Sequence, residues 1–290
     1  MPGVASFEQI VEATTHAFNM DYDLASGLTA FGMLARGNAF TDQLSIGLDT
    51  PLIPALPGEI DGNTTRGLAA HGRFEGDVSM TRQDWAIGDN IHFQPDLFAE
   101  LLDIVAQVGN DSKVTGPKSI VNVQALSQFK LKRFLQSQSE NVELQYHVGR
   151  LMLSYGETGF TLNFFANVLG TDGMLSVPAM TSIFRDQKFA PNWFRRSSPG
   201  TIDIIGISVD QVFDANPVPP GANAPNGTYI VDQGAFGDCA LYNNLVVDNL
   251  PSVLLNTTGV LKANVDFLLN AIHNLFPDCP TAVPHGAADI

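Results

Sequence analysis

Apolar residues recur at three- and four-residue spacing along most of this chain, and that period constrains its fold more than any other feature. Phe7, Ile10, Val11, Thr14 and Phe18 fall on one face of a predicted helix, since 3.6 residues per turn stack such positions. Ser6 and Gln9 stand where a capping box would close its first turn. Leu24, Leu28, Phe31 and Leu34 continue the pattern behind Asp21 and Asp23. Pro95-Asp96 opens a further helix with Leu97, Leu101, Ile104, Val105 and Val108 inward. Pro117 to about Gln138 and Glu143 to about Leu169 read as two longer helices, and Pro178 kinks or restarts one near 174–185. Over 201–213, Ile202, Ile204 and Ile205 would fit a strand, but Ile202, Ile205, Val209 and Val212 fit a helix better. Asn216 to Gly227, with four prolines, is a loop, and the last helices are predicted around 238–255 and 258–276. With 44% apolar residues the chain can bury a sizeable core. The expected fold is all-α, one compact domain over residues 1–290.

Charge narrows the partners. Charged residues are sparse at 16%, yet the net charge is −15, which disfavours nucleic acid and anionic membranes. No apolar run approaches the roughly 20 residues a bilayer span needs, and the first residues lack the pattern of a secretory signal. The histidines His16, His71, His92, His147, His273 and His285 show no metal-ligand spacing. Nothing has the order of a dinucleotide fingerprint, a phosphate loop or a nucleophile elbow.

Two acidic constellations carry the chemistry. Glu75-Gly76-Asp77-Val78-Ser79 places a carboxylate and a hydroxyl four residues apart, on one face if the segment forms a helical turn. Hard oxygen donors of that kind suit Mg²⁺, which fills its remaining shell from a ligand or water. The plainer reading of the same block is a solvated loop with a helix cap. Arg150 and Glu157 lie seven residues apart, two helical turns, in mostly apolar surroundings. A carboxylate there is either paired or protonated, because burying it alone is costly, and that is how a general acid–base group is made. The alternative is a structural pair securing a core helix. Phe74 and Phe160 flank these carboxylates, and among apolar neighbours each is core by default. Cys239 and Cys279 are either a disulfide closing about 40 residues or two buried thiols.

Taken together these blocks resemble the fungal heme-thiolate peroxidases, the family of chloroperoxidase and the unspecific peroxygenases. The likeness runs through Phe18-Asn19-Met20-Asp21, Thr41-Asp42 with Ser45-Ile46-Gly47, His71 to Arg82, Gly88-Asp89-Asn90, Arg150 to Glu157 and the C-terminal cysteines. The resemblance implies a multi-helix peroxidase domain with heme b. It implies that the Glu75 carboxylate, Gly76 carbonyl and Ser79 hydroxyl hold Mg²⁺ against a heme propionate. Glu157 matches the family's acid–base residue and Arg150 its charge stabiliser, while Phe74 and Phe160 match positions lining the apolar channel to the heme. Cys239 and Cys279 match the disulfide of the longer members. The implied partners are H₂O₂ and a small apolar organic substrate, in a monomeric secreted protein. The sequons at Asn63, Asn110, Asn226 and Asn256 suit a secreted glycoprotein. One feature departs from the family. Its axial cysteine lies in a Pro-Cys-Pro motif near the N-terminus, followed by an Asn-x-x-x-Asn-His-Gly stretch, and neither stands in this chain. Met1 falls inside the family's span, so the expectation is a start lying upstream. The alternative is a non-catalytic remnant that binds heme or a small apolar ligand.

Overall fold

The computed structural model describes residues 3–58, 67–69, 76–171, 173–234, 237–248 and 250–282, and the described chain is mainly helical. It folds as two compact units, one from 1–75 with 233–290 and the other from 76–232. The first unit begins with strand β1 (Val4–Ala5), helices α1 (Phe7–Phe18) and α2 (Tyr22–Arg36), and strand β2 (Leu44–Ser45). The capping box forms as expected: Ser6 Oγ accepts from Gln9 N at 3.2 Å and Gln9 Oε1 from Ser6 N at 3.0 Å. Asn19, left-handed at φ 54°, stops α1, and Asp21 caps α2 through Asp23 N. β1 and β2 pair antiparallel, Val4 opposite Ser45.

The second unit holds α3 (Pro95–Val108), β3 (Asn110–Ser112), β4 (Gly116–Ile120), α4 (Val123–Glu140), β5 (Gln145–Tyr146) and α5 (Val148–Phe164). It continues with α6 (Val177–Phe184), α7 (Ile202–Ala215), β6 (Gly221–Asn223) and β7 (Tyr229–Val231). α3 begins at its proline and buries Leu97, Leu101 and Val105, and α7 confirms the helical reading of 201–213. Three expectations need correcting. Pro117 lies in strand β4, not at a helix start. Gly116 at φ 102° and Lys118 at φ 50° cannot continue a right-handed helix, and the N-cap falls on Asn122, whose Oδ1 accepts from Ala125 N. α5 starts at Val148 rather than Glu143, because Gln145 and Tyr146 pair with Ala222 and Gly221 of β6. The proline-rich stretch is not wholly loop either: β6 and β7 extend that pairing into a three-stranded antiparallel sheet.

The core of this unit gathers Phe98, Leu101 and Val105 from α3, Leu126, Phe129 and Phe134 from α4, and Leu151 and Tyr155 from α5. α5 lies close along α7. A Cβ on Gly159 would stand 2.9 Å from Val209 Cγ2 and 3.0 Å from the Ile205 carbonyl, so glycine permits that approach.

The chain then completes the first unit with α8 (Asp238–Asn243), a π-helical turn (Asn244–Asp248), a 3₁₀ turn (Ser252–Leu254) and α9 (Gly259–His273), which packs on α2. The helix expected over 238–255 is interrupted before Pro251, which cannot donate to the preceding turn. Cys239 and Cys279 form a disulfide with Cα atoms 5.4 Å apart, tying the start of α8 to the segment after α9. No helix among the described residues is long and apolar enough to cross a membrane.

Candidate active site

Of the acidic block, Gly76 to Ser79 is described, whereas Phe74 and Glu75 lie outside the described residues. The expected helical turn does not form over the described part. Val78 is left-handed, at φ 65°, and wholly buried. A β-branched residue in that region costs about 1–3 kcal/mol, so its surroundings must hold it there. They do so at both backbone atoms: Val78 N donates to Asp84 Oδ1 at 3.1 Å, and Val78 O accepts from Lys130 Nζ at 2.8 Å.

Nor is the loop a solvated one. Asp77 is buried, its carboxylate accepting from Trp85 N at 3.3 Å and from Asn141 Nδ2 at 3.0 Å. Asn141 also donates to Asp84 Oδ2 at 3.1 Å, and Arg133 reaches Asp84 Oδ1 at 3.2 Å and the Ser79 carbonyl at 2.9 Å. Burial pushes the Asp77 carboxyl up to about 7, with Asp84 adding to the rise and Arg150, Trp85 and Asn141 opposing it.

The sequence reading did not single out Lys130, Arg133 or Asn141. The first two occupy the apolar face of α4, four residues after Leu126 and Phe129, and both are fully buried. A cation recurring at core positions of a helix was the available signal, since buried charges must be paired.

α5 carries the second constellation. The stem of Arg150 lies under Gly76, where an added Cβ would come within 3.0 Å of Arg150 Cδ, and Arg150 Nη1 donates to the Gln145 carbonyl at 3.4 Å. The structure therefore brings Arg150 and the Gly76 end of the loop together. Glu157 lies two turns further on, about 10 Å along the axis. Glu157 is exposed to solvent, while desolvation by the protein packed around it raises its pKa and Lys130 lowers it. Phe160, half-buried, stacks on Phe164 with ring centroids 6.0 Å apart.

Glu157 can do acid–base chemistry; the cation acting on it is Lys130, while Arg150 acts on Asp77. Among the described residues no group of His, Cys, Asp and Glu side chains could hold a metal ion. The expected Mg²⁺ set is of another kind, and two of its donors, the Gly76 carbonyl and the Ser79 hydroxyl, sit in the pinned loop. For heme the fit is one-sided. A carboxylate with raised proton affinity and a guanidinium on one helix face suit the peroxide side, but both cysteines of the chain are bridged and offer iron no thiolate.

Comparison with known proteins places the chain among peroxide-using oxidoreductases. The model of the family described as "Peroxidase, family 2" matches residues 2–198. The chain is 31% identical over 295 residues to an aromatic peroxygenase of Cyclocybe aegerita, covering 98% of this chain and 74% of that one. It is 32% identical over 212 residues to an aromatic peroxygenase of Coprinellus radians, covering 70% and 75%. It is 24% identical to a dothistromin biosynthesis peroxidase of Dothistroma septosporum, covering 95% of this chain and 66% of that one. The chain belongs to peroxidase family 2, and it is an oxidoreductase of the heme peroxidase and peroxygenase kind. The resemblance read from the sequence is borne out, and the remnant reading is not favoured.

Proposed function

We propose that this protein uses H₂O₂ to oxidise or oxygenate small apolar organic substrates, with Glu157 as the acid–base group and Arg150 as the charge stabiliser. The observation that carries the reading is the placement of these two side chains on one face of α5 in a member of this family, with burial raising the proton affinity of Glu157. Heme, when bound, supplies the redox-active iron at which the peroxide O–O bond is broken. Glu157 takes the proton from one peroxide oxygen and returns it to the leaving oxygen, which requires a carboxyl poised nearer neutrality than a solvated one. Arg150 stabilises the negative charge that develops on the leaving oxygen. Phe160 would line the approach of an apolar substrate, the role that the sequence resemblance also gives to Phe74. Glu75, Gly76 and Ser79 would hold Mg²⁺ on the propionate side, where hard oxygen donors are the right chemistry.

Secretion belongs to the same proposal. A formed disulfide suits an oxidising compartment, and the sequon asparagines Asn110, Asn226 and Asn256 are exposed.

The test is Glu157→Gln in the heme-loaded protein. Glutamine keeps the shape and cannot shuttle a proton, so turnover with H₂O₂ should fall by at least about 10²-fold, while the heme absorption spectrum is kept. Parent-like turnover would reduce Glu157 to a structural residue. The reduced, CO-bound spectrum probes the iron ligand separately. With both sulfurs bridged, this chain alone should give no thiolate-type Soret band, and such a band would show that one cysteine leaves the bridge to bind iron.

A further inference from the structure

We propose that Lys130 is a positioning residue for this reaction, fixing at once the strained loop that leads into Ser79 and the electrostatic surroundings of Glu157. This rests on Glu157 being the acid–base group. Lys130 comes from the middle of α4 and is 1% exposed. Its Nζ donates to the Val78 carbonyl at 2.8 Å and to Ser154 Oγ, and lies 5.4 Å from the centre of the Tyr155 ring. An ammonium has three donors and no acceptor, and a carbonyl, a hydroxyl oxygen and an aromatic face are the partners it needs when buried. Ser154 and Tyr155 stand three and two residues before Glu157 on α5. One side chain therefore bonds the backbone of the left-handed residue in the loop and the helix that carries the acid–base group.

The consequence for Glu157 follows from Coulomb's law. A cation in a site of low polarity favours the ionised carboxylate, against burial, which favours the protonated form. The two effects leave Glu157 with a raised pKa that Lys130 restrains. Among the described residues, other titratable groups stand on its own helix and on elements packed in the same unit. Tyr146 comes from β5, its phenol raised by burial and by Tyr155, with Glu157 contributing further. Tyr155 and Arg150 share its own helix, and α7, packed along α5, brings Asp203, Asp210 and Asp214. Lys130 also bonds the loop, through the Val78 carbonyl. Removing its charge should therefore do two things together, loosen Val78 and make Glu157 harder to ionise.

The experiment compares Lys130→Gln with Lys130→Arg in the full chain with heme bound. Glutamine removes the charge and, being one atom shorter, releases the Val78 carbonyl, while arginine keeps the charge. The first readout does not depend on turnover: the infrared band of the protonated Glu157 carboxyl, assigned by its loss in Glu157→Gln, is followed against pH. In Lys130→Gln its midpoint should move up by at least about half a unit, roughly a threefold change in the ionised fraction at fixed pH. The acid limb of the kcat–pH profile should move with it, and Lys130→Arg should restore both toward the parent. An unmoved band in Lys130→Gln, or an equal shift in Lys130→Arg, overturns the proposal. If Lys130→Gln does not fold, Lys130→Arg is judged alone, and a displaced midpoint there overturns the proposal while a parental one supports it. Loss of turnover in Glu157→Gln, with an unmoved band in Lys130→Gln, removes this inference and leaves the acid–base reading standing. Parent-like turnover in Glu157→Gln removes that reading instead.

Discussion

Arg150 and Asp77 are coupled across the loop, and each predicts how the other behaves. The Arg150 charge restrains the rise that burial imposes on Asp77, whose folded-state pKa is about 7 against an ordinary 3.8. A carboxyl raised on folding binds its proton more tightly in the folded than in the unfolded chain. Its contribution to stability is therefore largest below about pH 4 and is lost as pH rises toward 7. Asp77→Asn cannot titrate, so the difference between parent and variant isolates this contribution. Denaturant midpoints should show the parent losing ground to Asp77→Asn by a few kcal/mol between pH 4 and 8. A constant difference across that range would mean that Asp77 stays ionised throughout. Arg150→Ala removes the opposing charge and should carry the loss on above pH 7. In catalysis Arg150→Ala should lower kcat more than it raises KM, because the guanidinium is needed where charge develops rather than where substrate first binds. Arg150→Lys should recover part of kcat, as a point charge without the planar fork.

Among the elements, α4 turns a flexible-looking loop into a fixed one. Arg133 and Asp84 are both inaccessible to solvent, and the guanidinium also bonds the Ser79 carbonyl. Arg133→Met would leave Asp84 buried without its cation, an arrangement that typically costs about 3–5 kcal/mol. Urea denaturation measures it, and a loss under about 1 kcal/mol would show that Asn141 and the Val78 amide satisfy Asp84 unaided. Period alone made α1, α2, α3 and α7 legible in the sequence: α1, α3 and α7 each bury one apolar stripe, while α2 is buried nearly all round. It failed at β4 and β5, where left-handed backbone at Lys118 and pairing with β6 are tertiary facts that override helical spacing. Arg150 and Glu157 could be read because both sit on one regular helix. The Gly76–Ser79 loop could not, since its shape depends on Asp84, Lys130, Arg133 and Asn141, residues 5 to 65 positions away in sequence. A spacing argument sees only what a regular element repeats, and a strained residue held by distant side chains repeats nothing.

For the whole molecule, the covalent link matters most to the unit formed by the two ends of the chain. With a net charge of −15, the folded protein carries appreciable self-repulsion, which a cross-link resists without adding buried area. Cys239 and Cys279 are separated by 40 positions, and joining them removes open conformations from the unfolded chain. The bridge should therefore contribute roughly 2–4 kcal/mol on the chain-entropy estimate. Cys239→Ser with Cys279→Ser tests this in a single double variant, which leaves no odd thiol to pair with another molecule. Its thermal midpoint should fall and its denaturant midpoint shift by that amount, while kcat of the heme-loaded protein at temperatures well below the transition stays at the parental value. Neither sulfur belongs to the acid–base chemistry of α5, so stability and turnover should separate. A double variant as stable as the parent would mean that the bridge relieves no entropy the packing of α8 and α9 does not already remove. One that stays folded but loses turnover would instead make the segment from α8 to Cys279 matter to the reaction.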